Sequence, residues 1–235
     1  MNTMLSLLAA AASHSSAEQQ RIANNLANVQ NPGFKEILSH VESLPEKEQN
    51  ALSAAIPYSR FFVPFRQGAL EKSSNNMDFS LQGEGFFVLE KEESKKYLRS
   101  FHAGLDSQGY LVNSDGLRLC TEDGHLRIDP EKASLLEVDK KGIVSLGTER
   151  IGKLKIVTLE TTQPQEGTPG YSFDQPKGEE KDAASCEVCQ GYLEKSTADS
   201  LESMTDMIAN LRYLEANQKI LRTLDQSYQG LIEQS

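Results

Sequence analysis

The chain has no tryptophan, three cysteines in 235 residues and no long hydrophobic run. Each shortage excludes something. Cys120, Cys186 and Cys189 are too few for a disulfide scaffold. Cys186-x-x-Cys189 has the spacing of half a zinc site or a redox pair, but a structural zinc takes about four ligands and no second C-x-x-C is present. The four histidines, His14, His40, His102 and His125, are scattered, so no metal or other cofactor is expected. No stretch approaches the roughly 18 apolar residues that cross a bilayer, so the chain is not expected to span a membrane. The apolar start, Met1 to Ala12, has no Lys or Arg ahead of it, so a cleaved secretory signal is not expected and any export uses another route.

Basic residues are also short. Against 34 acids stand 24 Lys and Arg, a net charge of −10, which argues against nucleic acid and against a polybasic membrane anchor. The imbalance is uneven, because Met1 to Lys35 carries only Glu18, Arg21 and Lys35 as charges. A near-neutral terminal helix is easily desolvated inside a helical assembly.

Catalytic patterns are missing. Gly83-x-Gly85 lacks the third glycine and the following helix of a phosphate loop. Ser80, Ser100, His102 and Asp106 are near in sequence, but nothing orders them as nucleophile, base and orienter. No catalytic residue is assigned.

What is present begins with Leu5, Leu8, Ala12, Ile22, Leu26 and Val29, an apolar stripe at helical spacing. It stops at Asn31-Pro32-Gly33, where proline cannot continue a helix and glycine supplies free dihedrals. Asn24, Asn25 and Asn28 crowd the last two turns although asparagine is a poor helix former, so partners outside the helix are expected for them. At the other end, Met204, Met207, Leu211, Leu214, Leu221, Leu224, Tyr228 and Leu231 recur at three- and four-residue steps and predict a long amphipathic helix from Ala198 to Ile232. Met204 and Met207 read as packing residues, not as a ligand patch.

Between the helices, short apolar runs follow Asp/Asn–Gly turns: Asp106 to Gly109, Asn113 to Gly116, Asp139 to Gly142. They predict antiparallel strands from Asp78 to Leu159, with Phe86 and Phe87 as one inward and one outward residue. A short helix from about Glu46 to Ala55, an extended piece at Phe61 to Val63 and an irregular connection from Glu160 to Ser185 complete the reading. The expected fold class is α+β: long terminal helices pairing as a coiled-coil-like domain, with an inserted, mostly antiparallel β domain. The expected division is 1–35 plus 193–235 as a discontinuous helical polymerisation domain, 36–77 as connecting segment, 78–159 as β-rich domain and 160–192 as irregular return connection.

One internal repeat supports a split domain. Gln67-Gly68-Ala69-Leu70-Glu71-Lys72-Ser73 recurs as Gln190-Gly191-Tyr192-Leu193-Glu194-Lys195-Ser196, so the chain is expected to enter and leave its middle along neighbouring segments.

Taken in order, these segments resemble the flagellar axial proteins, the rod and hook subunits of the bacterial flagellum. Ala23 to Lys35 is similar to that family's N-terminal signature, with Gln30 and Asn31 where Asn and Thr are commoner. Gln67 to Leu70 with Met77 to Phe87 is similar to its second signature, and Tyr97 to Arg99 with Gly109 to Asn113 to its next strands. Gln190 to Ser196 with Tyr213 to Lys219 is similar to its C-terminal helix. The short middle region looks most like rod members, the proximal rod in particular, with distal rod or hook as alternatives. The resemblance implies export by the flagellar apparatus without a cleaved signal, self-polymerisation into the periplasmic drive shaft of the basal body, and other rod and hook subunits as partners. It implies an assembly interface, placed here on Asn24, Asn25, Leu26, Asn28, Phe34, Met204, Met207, Leu211, Leu214, Asn217 and Leu221. The competing reading is a non-polymerising β-domain adaptor with helical arms.

Overall fold

The computed structural model describes residues 2–42, 58–64, 66–91, 94–159, 172–174, 180–183 and 186–233. In chain order the elements are α1 (Asn2–Ala27), β1 (Leu38–Glu42), β2 (Tyr58–Phe62), β3 (Leu70–Lys72), β4 (Asp78–Gly83), β5 (Phe86–Lys91), β6 (Ser94–Leu98) and β7 (Ser100–His102). Then come β8 (Gly104–Leu105), β9 (Leu111–Val112), β10 (Arg118–Thr121), β11 (Gly124–His125), β12 (Leu136–Val138), β13 (Ile143–Leu146), β14 (Glu149–Lys153) and β15 (Ile156–Leu159). The last are β16 (Ser172–Asp174), β17 (Glu180–Asp182), β18 (Cys186–Gln190), β19 (Tyr192–Glu194) and α2 (Ser200–Glu233).

Two compact units result. The first holds Met1–Ala27, Ile37–Phe62 and Asp199–Ser235; the second holds Asn28–Glu36 and Val63–Ala198. In the first, α1 packs against α2 and β1 pairs antiparallel with β2. The helix starts and stops follow local chemistry. Asp199 caps α2, its Oδ1 accepting from the backbone N–H of Leu201 at 2.7 Å and of Glu202 at 3.1 Å. α1 ends at Ala27, ahead of the proline, because Asn28 and Asn31 close a turn of their own. Asn31 donates its N–H to the Asn28 carbonyl at 3.0 Å and its Nδ2 to Asn28 Oδ1 at 2.7 Å.

The expected α+β class does not hold as stated: the central region is mostly β-sheet, and the two sizeable helices among the described residues lie at the termini, where they pair with each other. Segments that read as connections carry strands, β1 to β3 within 36–77 and β16 to β18 within 160–192. Their runs are short and polar, so they give little periodic signal, and pairing to neighbours decides their state instead. The short helix expected at 46–55 lies outside the described residues.

The second unit is built on repeated turns. Asp106, Asn113 and Asp139 each accept two backbone N–H groups on Oδ1, from residues two and four further on. Each turn ends in a glycine in the left-handed region, φ +83° at Gly109, +76° at Gly116 and +78° at Gly142. This is a three-residue hairpin loop, a type I turn closed by a left-handed residue. The single strand expected at Ile151 to Leu159 divides into β14 and β15, because Leu154 N–H turns to the Gly142 carbonyl and Lys155 N–H to the Cys120 carbonyl.

The core clusters Phe79, Leu81, Phe87, Leu89, Leu98 and Phe101 with aliphatic residues from β9 to β18. Phe101 lies 5.8 Å from Phe79 and, edge-on, 5.3 Å from Phe87, ring centroid to centroid. Phe86 is also buried, correcting the expectation that one of the pair faces out. β5 has β6, β10 and β15 as ladder partners, and the Arg99 guanidinium covers the Phe86 ring at 5.8 Å.

The two repeat copies lie side by side, β3 antiparallel to β19, with Leu70 opposite Glu194 and Glu71 opposite Leu193. Equivalent residues therefore fall on opposite faces of the ribbon. Glu194 is wholly buried, whereas its counterpart Glu71 is exposed and pairs with Lys195 at 2.6 Å. The glutamines do share one role. Gln67 accepts from Gly83 N–H and donates to the Leu81 carbonyl; Gln190 accepts from Val138 N–H and donates to the Leu136 carbonyl. Each side-chain amide imitates a strand residue at the edge of a neighbouring strand.

Candidate assembly surface

α2 carries two apolar stripes. Ser203, Met207, Asn210, Leu214, Asn217 and Leu221 share one face and are buried or half-buried. Asn210 on that face grips α1: its Nδ2 donates to the Ser15 carbonyl at 2.8 Å and to Gln19 Oε1 at 2.9 Å, and its Oδ1 accepts from Ser15 Oγ at 2.6 Å. Asn217 lies buried, and its Nδ2 has no hydrogen-bond partner among the described residues. The second stripe is Leu201, Met204, Ile208 and Leu211, again at three- and four-residue steps. It is exposed, by 74 % at Leu201 and 55 % at Ile208. A contiguous exposed row of large apolar side chains marks an interaction surface.

The expected interface residues thus divide. Met204 and Leu211 stand on the exposed stripe, while Met207, Leu214, Asn217 and Leu221 lie on the α1-facing side. Ile208, central to the exposed stripe, and Asn210 were missed, although the three- and four-residue spacing from Met204 to Leu211 points to Ile208. Leu26 and Asn24 are half-buried in α1. Asn25 is buried, and both ends of its amide serve the Ile37 backbone: Nδ2 donates to the carbonyl at 2.9 Å and Oδ1 accepts from N–H at 3.0 Å. Arg21, one turn earlier, donates to the same carbonyl at 2.9 Å.

Phe34 and Lys35 are wholly buried in the second unit. Lys35 Nζ donates to Glu194 Oε1 at 2.5 Å and to the Arg66 carbonyl at 2.6 Å, and Arg99 Nε donates to Glu194 Oε2 at 3.0 Å. Burial lowers the pKa of Lys35 below its ordinary 10.5, outweighing the Glu194 charge. Between its folded value and 10.5 the unfolded chain holds the extra proton, so raising the pH favours the folded chain. This contribution is full above 10.5 and is lost as the pH falls through the folded value. Urea unfolding followed from pH 7 to pH 10 is expected to show wild type gaining stability relative to Lys35→Met as pH rises, and a constant difference would count against it.

Burial disfavours the thiolate form of all three cysteines. Burial pushes Cys120 up to about 12, with the Glu90 charge adding to it, and Cys186 up to about 11; Cys189 is also raised by burial. Cys186 and Cys189 are three residues apart on β18, so their Cα atoms are about 10 Å apart and their side chains point to opposite faces. A disulfide needs about 7 Å or less. The intact folded protein is expected to show no loss of two mass units after diamide treatment; such a loss, mapped to this pair, would refute the placement.

Among the described residues no group of three or more His, Cys, Asp or Glu could hold a metal ion, and no helix is long and apolar enough to cross a membrane. Ser80 and Ser100 direct their hydroxyls to the Cys189 and Phe79 carbonyls, His102 meets Asp78 at 2.8 Å, and Asp106 holds its turn and Arg118.

Comparison with known proteins bears on the C-terminal segment that carries this surface. The family described as "Flagellar basal body rod FlgEFG protein C-terminal" matches residues 190–233, from the first residue of the second repeat copy to the end of α2. This chain is similar to the flagellar basal-body rod proteins. The basal-body rod protein FlgF of Caulobacter vibrioides is 26% identical over 209 residues, covering 85% of this chain and 84% of that protein. FlgF of Salmonella typhimurium is 26% identical over 234 residues, covering 92% of each. The rod protein FlgG of Bacillus subtilis is 24% identical over 239 residues, covering 90% of each. The likeness to these rod proteins therefore extends over most of the chain, well beyond residues 190–233.

Proposed function

We propose that this chain is a structural subunit of the flagellar basal-body rod, exported by the flagellar apparatus and polymerised into the periplasmic drive shaft. The observation that carries the reading is the exposed stripe Leu201, Met204, Ile208 and Leu211 on a helix whose other apolar face is already engaged by α1. An apolar row left in water on a paired helix gains its burial from another chain. Other rod and hook subunits and further copies of this chain are the partners, with Met204 and Leu211 in direct contact. Met207, Leu214, Asn217 and Leu221 act behind them by holding α2 on α1. The shortness of the sequence between residues 36 and 66 favours the proximal rod.

Limited proteolysis of the purified monomer tests this. A rod subunit keeps its unassembled helices open to cleavage, so trypsin is expected to cut at the exposed Arg212 and Lys219 of α2 while the strands of residues 94–159 resist. Uniform protection of both termini in a monodisperse sample would favour a non-polymerising adaptor.

A further inference from the structure

Residues 28–36 end the Asn-rich segment, and the described hydrogen bonds that anchor them come from far along the chain. Gly33 N–H donates to the Glu194 carbonyl at 2.7 Å, Thr197 N–H to the Phe34 carbonyl at 3.1 Å, and Glu36 N–H to Thr197 Oγ1 at 2.9 Å. Lys35 completes the set through Arg66 and Glu194. The Glu194 carboxylate is the hub. Its Oε1 accepts from Lys35 and from Gly68 N–H at 2.6 Å, its Oε2 from Arg99, and its own N–H donates to Ser100 Oγ at 3.0 Å. Arg99 is held independently of Lys35, donating to the Gly85 carbonyl at 2.8 Å and the Leu81 carbonyl at 3.3 Å.

The charge arithmetic is asymmetric. Two buried cations share one buried carboxylate. Without Lys35, Arg99 and Glu194 remain a balanced pair. Without the Glu194 charge, an ammonium and a guanidinium face each other out of water, which is strongly unfavourable. The lysine, at the end of a terminal segment, is the one free to leave.

We infer that the Lys35–Glu194–Arg99 cluster is a completion latch: the N-terminal turn seats only when β19 delivers the Glu194 carboxylate. A chain whose C-terminal part has not yet arrived therefore keeps residues 28–36 unseated, although the local Asn28–Asn31 turn still ends α1. The inference concerns the monomer and stands apart from whether the chain polymerises.

Hydrogen exchange on the full-length chain, read by mass spectrometry over residues 28–36 and over β4 and β5, tests it. In Glu194→Gln, which keeps the shape and the acceptor oxygen, exchange in 28–36 is expected to rise roughly a hundredfold while β4 and β5 stay protected. Adding Lys35→Met removes the unbalanced ammonium and is expected to restore protection of 28–36 at least about tenfold. Three results would overturn the latch: protection of 28–36 unchanged in Glu194→Gln, protection lost equally from 28–36 and the two strands, or no recovery in the double variant. A residue that merely fills space would not show rescue by a second change.

Discussion

Placing a carboxylate on the exposed stripe, with Ile208→Asp or Leu211→Asp, is expected to abolish swimming while the purified monomer melts as wild type does. Both side chains stand in water in the monomer, so the substitution touches little that holds the fold, and surface changes of this kind stay within about 0.5 kcal/mol. In an assembled interface the same carboxylate is buried without a partner, at several kcal/mol for each copy, and a polymer repeats that penalty at every joint. Leu214→Asp is the contrast. Leu214 lies on the α1-facing side of α2, so there the charge is expected to loosen the helix pair in the monomer itself. Helix content by circular dichroism and motility in a complemented deletion strain separate the two. Motile cells carrying Ile208→Asp would remove the stripe from the assembly surface.

Gly68→Ala is expected to break the ribbon between the repeat copies, at about 3 kcal/mol, the upper end of what overpacking usually costs. A Cβ on Gly68 would stand 2.2 Å from the Lys195 carbonyl oxygen. That neighbour is backbone, and Lys195 N–H is itself bound to the Ala69 carbonyl at 2.8 Å, so the two segments cannot part locally. Gly68 N–H is also a donor to Glu194, which ties the effect to the buried charges. Gly124→Ala is the control for lost glycine in a turn: nothing lies within 4 Å of its Cβ position, though its φ of +124° carries a strain of its own. Chemical denaturation of both proteins measures the difference. Equal stabilities would mean that the close approach at Gly68 relaxes freely.

The turns and the helices were legible because their chemistry is local. Asp106, Asn113 and Asp139, each with a glycine three residues on, specify their hairpins without tertiary help, and the apolar spacing from Met204 onward marks α2. The pairing of the repeats was legible for another reason, since the same seven-residue pattern occurs twice. What escaped were features set by partners distant in sequence. Phe86 looked like half of an alternating pair, yet Arg99 covers its outer side. Lys35 read as the polar end of a signature, yet it is wholly buried because Glu194, 159 residues away, meets it. Asn25 was expected to have partners outside its helix without their being named, and the Ile37 backbone supplies them. The polar grip of Asn210 on Ser15 was hidden because a lone asparagine on a helix has no periodic signature. On the candidate surface, spacing identified the right helix but could not assign its two faces. Met204 and Met207, three residues apart, ended on different sides of the same helix.

The most direct measurement is immunogold electron microscopy of intact basal bodies isolated from cells that carry a functional, epitope-tagged copy of this chain. The account predicts gold along the rod, between the cytoplasmic-side rings and the hook, and none on basal bodies from cells carrying Ile208→Asp. Well-formed basal bodies without label, with the tagged chain recovered only as free protein, would contradict it.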